Sequence, residues 1–335
     1  MPNGATLLCL VQGSSKKGQY DFFRSSFGQE RAVSWPKTSA IWSNAMLAAF
    51  CELKFGAEPP PIVNIASVRH LSPFRYPGGK TWLVPRVMNY LRTSLKDVDI
   101  FIDPFVGGGS VPLAALMEGC VERAVLCELD PAVSSVWRVI FSDDYDKLCR
   151  LILDFDITRE RVLDILSSPP KSSIDYAFQT IVKNRTFRGG IMAPGASLVN
   201  SGENGRGVAS RWYPETLVKR IQALNSLSER VTFIEGDGME VLAQYAGDDD
   251  AFVFVDPPYT AGHGKRAGSR LYEHSEIDHA VIFSTLAHGE AQFMMTYDDD
   301  VEVLSLAKGN GFVLEHVAMK NTHHRCMYEL LITRA

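Results

Sequence analysis

The run "VFVDPPYTAG" at residues 253–262 sets an acid, two prolines and a tyrosine directly behind an apolar stretch. Proline donates nothing to a sheet ladder, so a strand entering this run stops there. The strand end then carries one carboxylate, Asp256, and one ring, Tyr259. Asp256 can accept one N–H of an exocyclic amine, and the main-chain carbonyl of Pro257 the other. Such pairing draws the nitrogen lone pair out of conjugation with a base and toward an electrophile. Pro257 and Pro258 fix φ and so hold that carbonyl rigidly. Tyr259 offers a face on which a base taken out of a helix can stack. Asp256 need not be a strong base, because the proton leaves after the transfer. Positioning two reactants in line would supply most of the catalysis.

Three more carboxylates close apolar runs: Asp103 in "VDIFIDPF", Glu128 in "RAVLCELDP" and Asp237 in "VTFIEGDGMEVL". Each alone has an ordinary reading; Asp103 could cap a helix and Glu128 could be a surface residue. Four such acids in one chain point instead to the strand ends where doubly wound sheets bind ligands. Gly107, Gly108 and Gly109 in "DPFVGGGS" let a main chain pass close to a ligand. Glu128 follows about 20–25 residues later, suited to accept hydrogen bonds from ribose hydroxyls. The third glycine of a dinucleotide fingerprint is missing, since Val111 and Pro112 follow Ser110. A nicotinamide-dependent oxidoreductase is therefore disfavoured. A nucleoside ligand without a pyrophosphate fits better, which points to S-adenosylmethionine.

These ends need a sheet to position them. From about residue 72 short continuous apolar runs alternate with helical spacings such as "TWLVPRVMNYLRTSL" and "AVSSVWRVIF". That alternation implies an α/β fold with a parallel, doubly wound sheet. Residues 141–215 break the rhythm: "YDKLCRLILDF" and "SIDYAFQTIVKN" read as helices, and a Gly-, Asn- and Ser-rich loop follows. Between Lys183 and Arg220 there are seven basic residues against two acids, although the chain carries a net charge of −5. A second acid-free basic stretch, "TAGHGKRAGSR", directly follows Thr260's motif. Arg185, Arg188, Arg211, Lys265 and Arg266 are the candidates for phosphate or base contacts. A solvated loop is the ordinary alternative for both stretches.

The first 65 residues read as an extension of unknown role, with helical spacing over 38–56 and a break at "AEPPPIVN". No apolar run approaches the roughly 20 residues that span a membrane. The amino-terminal run lacks a basic lead, so no signal peptide is expected. The six cysteines never form CxxC; reduced, mostly buried thiols and no zinc site are expected. A cytoplasmic location follows as an expectation.

The pieces "FRYPGGK", "DPFVGGGS", "CELD", "GDGMEVL" and "DPPYT", in this order, resemble the Dam-type (D12 class) DNA adenine N6-methyltransferases over roughly residues 72–335. The resemblance implies a Rossmann-like methyltransferase sheet over 66–140 and 216–335, with a mainly helical target-recognition subdomain inserted at 141–215. It implies S-adenosylmethionine as cofactor and double-stranded DNA as partner. Tyr76 and Lys80 would hold the cofactor's methionine end, and Asp103, Phe105 and Gly107 would line its pocket. Glu128 would bind ribose and Asp237 the cofactor's adenine amine. Asp256, Pro257, Pro258 and Tyr259 would carry catalysis. The insert matches the family only at its start, so no recognition sequence transfers. His279 is expected to be structural, and His323 and His324 to be exposed. RNA adenine, cytosine N4, and a non-catalytic sensor that keeps the pocket remain as alternatives.

Overall fold

The computed structural model describes the backbone of residues 9–15, 18–24 and 30–32, then residues 67–95, 98–258, 277–320 and 326–335. The chain divides into two units, Met1–Pro59 and Pro60–Ala335. In the first, β1 (Cys9–Ser15), β2 (Gly18–Arg24) and β3 (Glu30–Ala32) form an antiparallel sheet in that order. Cys9 lies opposite Arg24, and Phe22 opposite Ala32. The helix expected over 38–56 falls outside the described residues.

The second unit is built on seven strands. They are β4 (Ile100–Asp103), β5 (Arg123–Glu128), β6 (Val231–Glu235), β7 (Ala251–Val255), β8 (Gln292–Asp298), β9 (Val313–Lys320) and β10 (Cys326–Thr333), in the spatial order β6-β5-β4-β7-β8-β10-β9. From β6 to β8 every pairing is parallel. The expected parallel sheet is thus present, but β10 enters antiparallel between β8 and β9. β9 and the helix before it, Val301–Gly309, were not anticipated. β9 is an edge strand that carries Glu315 and His316 in mid-run, which hides its apolar alternation. The strand expected to end at Asp237 stops two residues earlier. β6 stops at Glu235, and Asp237 accepts from Met239 N at 2.9 Å to start a helix. A carboxylate at this position satisfies an otherwise orphaned helical N–H.

Both sheet faces are covered. The helices are α1 (Val84–Thr93), α2 (Ser110–Met117), α3 (Pro131–Ile140), α4 (Tyr145–Asp154), α5 (Arg159–Ser167), α6 (Ser173–Thr186), α7 (Pro214–Asn225), α8 (Gly238–Tyr245), α9 (His279–His288) and α10 (Val301–Gly309). Phe101, Leu126, Phe252, Phe254 and Met294 pack with residues of α1–α7. The alternate residues Ile102, Val125, Val253, Val255 and Met295 pack with residues of α8–α10. This is the period-2 pattern of strands buried on two sides, which is why they read as continuous apolar runs. The helices α4–α6 do not stand apart, because Ile152, Phe178 and Ile181 join the same core as α3. Among the described residues no helix is long and apolar enough to cross a membrane. Of the described thiols, Cys127 and Cys149 are buried, Cys120 is half-buried, and all three are free.

Candidate active site

The chain runs from β4 outward through β5 and β6, then returns to the other side of β4 with β7 and β8. Adjacent crossovers therefore diverge between β4 and β7, opening a crevice at the carboxyl ends of those strands. A cavity of about 390 Å³ lies there. Asp103, at the end of β4, and Asp256, just past β7, flank the switch point, and Glu128 and Asp237 complete the wall. All four predicted strand-end acids are thus brought to one cavity, together with Tyr76, Lys80, Phe105, Gly107 and Pro258.

Burial sets their electrostatics. Asp103 is 3% exposed, and its carboxyl is held well above the usual carboxylate range, first by burial and then by Asp256. Its Oδ1 accepts from Phe105 N at 3.2 Å, which is a turn contact and not a helix cap. Glu128 is buried rather than a surface residue. Burial pushes its carboxyl up to about 7, against the opposing effect of main-chain donors. Glu128 Oε2 accepts from Gly107 N at 3.1 Å and Oε1 from Asp130 N at 2.9 Å. The carboxylate therefore fixes the glycine turn to the end of β5. Asp237 is exposed and caps α8 while it lines the cavity, so the capping and wall roles coexist.

The glycine turn lines the cavity and also makes room inside the protein. Gly107 has φ +44°, and a Cβ there would lie 2.6 Å from the Tyr76 ring. The missing side chain makes room for Tyr76, which itself lines the cavity. Trp137 of α3, fully buried, donates from Nε1 to Gly107 O at 3.0 Å and braces the turn from below.

Lys80 is buried, and its ammonium lies 2.8 Å from Asp256 Oδ1 and 3.7 Å from Glu329 Oε2 on β10. It also donates to Gly78 O at 2.9 Å. The lysine expected beside a cofactor carboxylate is thus drawn to the motif's own acid. Thr296 of β8 donates to the same Asp256 Oδ1 at 2.7 Å. Two donors converging on one oxygen fix the plane of this carboxylate. His279 is buried, and its Nδ1 lies 3.0 Å from the Tyr297 hydroxyl on the opposite sheet face. Burial lowers its pKa, as suits a neutral ring in a structural pair.

Residues 76–163 match the family model of the D12 class N6 adenine-specific DNA methyltransferases. The matched stretch holds Tyr76, Lys80, the glycine turn and the ends of β4 and β5. Over 206 residues it is 25% identical to the Type II methyltransferase M.MjaIII of Methanocaldococcus jannaschii, covering 56% of this chain and 69% of that protein. Among solved structures, the precorrin-6y C5,15-methyltransferase of Geobacter metallireducens overlaps at TM-score 0.34 and 11% identity, over 76% of this chain and 88% of that one. The rRNA methyltransferase aviRa of Streptomyces viridochromogenes overlaps at TM-score 0.34 and 14% identity, over 74% and 84%. At these scores neither structural likeness bears on activity.

S-adenosylmethionine fits the cavity on chemical grounds. Its sulfonium and ammonium are cations, and buried carboxylates with raised pKa values are short of positive charge. Two members of the site went unnoticed in the sequence, Thr296 and Glu329. Each is a lone polar residue inside an apolar strand run, "QFMMTYD" and "CMYELLIT", and that isolation was the available signal. The predicted nucleic-acid residues divide. Arg188 is exposed, Arg211 is half-buried, and Arg185 is buried and donates to Pro73 O. Tyr259, Lys265, Arg266, His323 and His324 lie outside the described residues.

Proposed function

We propose that the protein transfers a methyl group from S-adenosylmethionine to N6 of an adenine in double-stranded DNA. The observation that carries this reading is Asp256, held by Lys80 at 2.8 Å and Thr296 at 2.7 Å in the wall of a cavity that other acids line. When bound, S-adenosylmethionine supplies an electrophilic methyl group on a cationic sulfur.

The chain's own residues then do three things. The ammonium of Lys80 and the hydroxyl of Thr296 hold the Asp256 carboxylate in place beside Asp103, whose proton affinity Asp256 raises. The Asp256 carboxylate and the Pro257 carbonyl each accept an N–H of the target amine, which turns the nitrogen lone pair toward the methyl group. Tyr259 stacks on the extruded base, a sequence-tolerant contact. Glu128, anchored by Gly107 and Asp130, faces the ribose hydroxyls, while Tyr76 and Phe105 pack against the donor. Residues 141–215 serve target recognition, with the exposed Arg188 and the basic run at Lys265 and Arg266 touching the polymer.

Incubation with tritiated S-adenosylmethionine and unmethylated genomic DNA, followed by nucleoside separation, tests the proposal. Label in N6-methyldeoxyadenosine is the expected result. Label in N4-methylcytosine, or only in added RNA, would replace adenine or DNA as the target. Binding of the donor with no label in any polymer would leave a sensor.

A further inference from the structure

A second cavity, about 380 Å³, opens beside the first. Tyr76, Gly79 and Ser110 line both. Its charged lining is of one sign: Arg75, Arg185, Arg211 and Arg220, with His70, and none of the lining side chains is a carboxylate. Phe74, Tyr76 and Tyr213 line the same cavity.

The cluster is built, not incidental. Arg185 donates to Pro73 O, and Arg220 donates to Ser72 O at 3.1 Å. The main chain of Arg75 is clamped by Asn184, which accepts from Arg75 N at 2.9 Å and donates to Arg75 O at 3.0 Å. Asn184 also donates to Gly190 O at 2.9 Å; Gly190 has φ +74°, and a Cβ there would lie 2.2 Å from Arg75 O. The fold therefore brings residues 72–75 and the insert together at van der Waals contact to assemble these guanidinium groups.

Gathering these guanidinium groups is costly. Arg185 is 9% exposed, and burial, followed by Arg220, Arg75 and Arg211, lowers its pKa to about 10. Arg75 is lowered by burial and by Arg211. The Arg185 Nε–H is buried with no acceptor among the described residues. Buried donors of this kind are paired in finished structures, and an anion in the cavity would supply the acceptor that Arg185 Nε lacks among the described residues.

We propose that this cavity binds a phosphodiester group of the nucleic-acid strand, and so sets that strand against Tyr76 beside the donor cavity. The inference rests on the nucleic-acid substrate read above. Guanidinium forks match phosphate oxygens two at a time, which favours phosphate over a single carboxylate. Rings that line a cavity together with arginines suit a nucleotide better than a bare inorganic ion. The shared Tyr76 wall puts the held phosphate next to the place where a target base would enter.

Fluorescence anisotropy of a labelled 20-base-pair DNA duplex, titrated at several KCl concentrations, tests this. Each phosphate contact contributes about 0.9 to the slope of log affinity against log salt. For Arg211→Gln and Arg75→Gln, affinity at low salt is expected to fall about tenfold and the slope to flatten by about one contact's worth. Arg211→Lys retains the charge and should recover most of the slope. Titration calorimetry with S-adenosylmethionine should show unchanged binding in Arg211→Gln, which separates the effect from misfolding. Wild-type binding to the duplex with unaltered slopes in both glutamine variants overturns the clamp and leaves the proposed methyl transfer standing. Failure of the wild type to bind duplex or single strand overturns both. Competition of duplex binding by millimolar inorganic phosphate, lost in Arg211→Gln, supports the site. Saturation by inorganic phosphate without any polymer binding reassigns it to a free anion.

Discussion

The two cavities that meet at Tyr76 are nearly equal in size, about 390 and 380 Å³, and opposite in charge. One is made at strand ends by carboxylates, of which burial raises the proton affinity of Asp103 and Glu128. The other is made by arginines of the first segment of the unit, the insert and α7, of which burial lowers the proton affinity of Arg75, Arg185 and Arg220. Each is strained by like charges in low dielectric, and each is relieved by a ligand of the opposite sign. A cationic donor on one side and a polyanion on the other would discharge both. Tyr76 separates the two and makes contact with the glycine turn that carries the first.

The comparison breaks most sharply at Asp256. The Asp256→Asn variant keeps the shape of the site and removes the negative acceptor, so methylation should fall about a thousandfold. Donor binding by calorimetry should stay within a few-fold. Full activity would mean that the acidic cavity is not where the amine is activated.

Next comes Lys80, the one buried cation in the acidic cavity's wall among the described residues. Lys80→Met leaves Asp256 and Glu329 facing each other without it. Breaking a buried pair in this way costs about 3–5 kcal/mol, and urea denaturation should register that loss. A change under 1 kcal/mol would show that water already screens the cluster.

The acidic side should also be pH-sensitive. Glu128 holds a proton up to about pH 7 because of burial. A cationic donor favours its ionised form, so binding releases the proton and the affinity rises with pH. From pH 6 to pH 8 the dissociation constant should fall about tenfold, and Glu128→Gln should flatten that profile. In the donor-free protein the same group works the other way. Its folded pKa lies above the ordinary 4.5, so it favours the fold below that value, and this contribution is lost as pH rises through about 7. A flat donor-binding profile in the wild type would remove Glu128 from the donor's surroundings.

The smallest effect concerns orientation. Thr296→Val deletes one donor to Asp256 Oδ1 and should cost about 1 kcal/mol of stability by urea denaturation. The rate should fall more than donor affinity does. An equal loss in both would make Thr296 a packing residue only.

Much of the acidic side could be read from residues alone, because strand ends are marked by breakers. Apolar runs that stop at "DPF", "ELDP" and "DPPY" announce both the strand and its end, and topology then has few places to put the acids. What could not be read is who neutralises them. Lys80 meets Asp256 and Glu329 across the full length of the catalytic unit, and no local pattern encodes that meeting. The arginine side was legible only as a charge excess. Arg185 and Arg211 stood out, but Arg75 and Arg220 did not, since the Asn184 clamp on Arg75 and the Arg220 bond to Ser72 O are tertiary contacts. β9 and α10 escaped for a simpler reason. An edge strand with polar interruptions and a helix burying little have weak periodicity.

The ion cluster of Lys80, Asp256 and Glu329 bears on how the chain must be born. Synthesis releases the lysine first, its nearer acid much later and the other only with the final strand. Until β10 pairs with β8, Glu329 is not in place beside the buried ammonium. A nascent or truncated chain can therefore lay down β4–β8, with Lys80 and Thr296 already on Asp256, and still lack the second acid beside the buried ammonium. Pairing of the last strand is the step that brings that acid in.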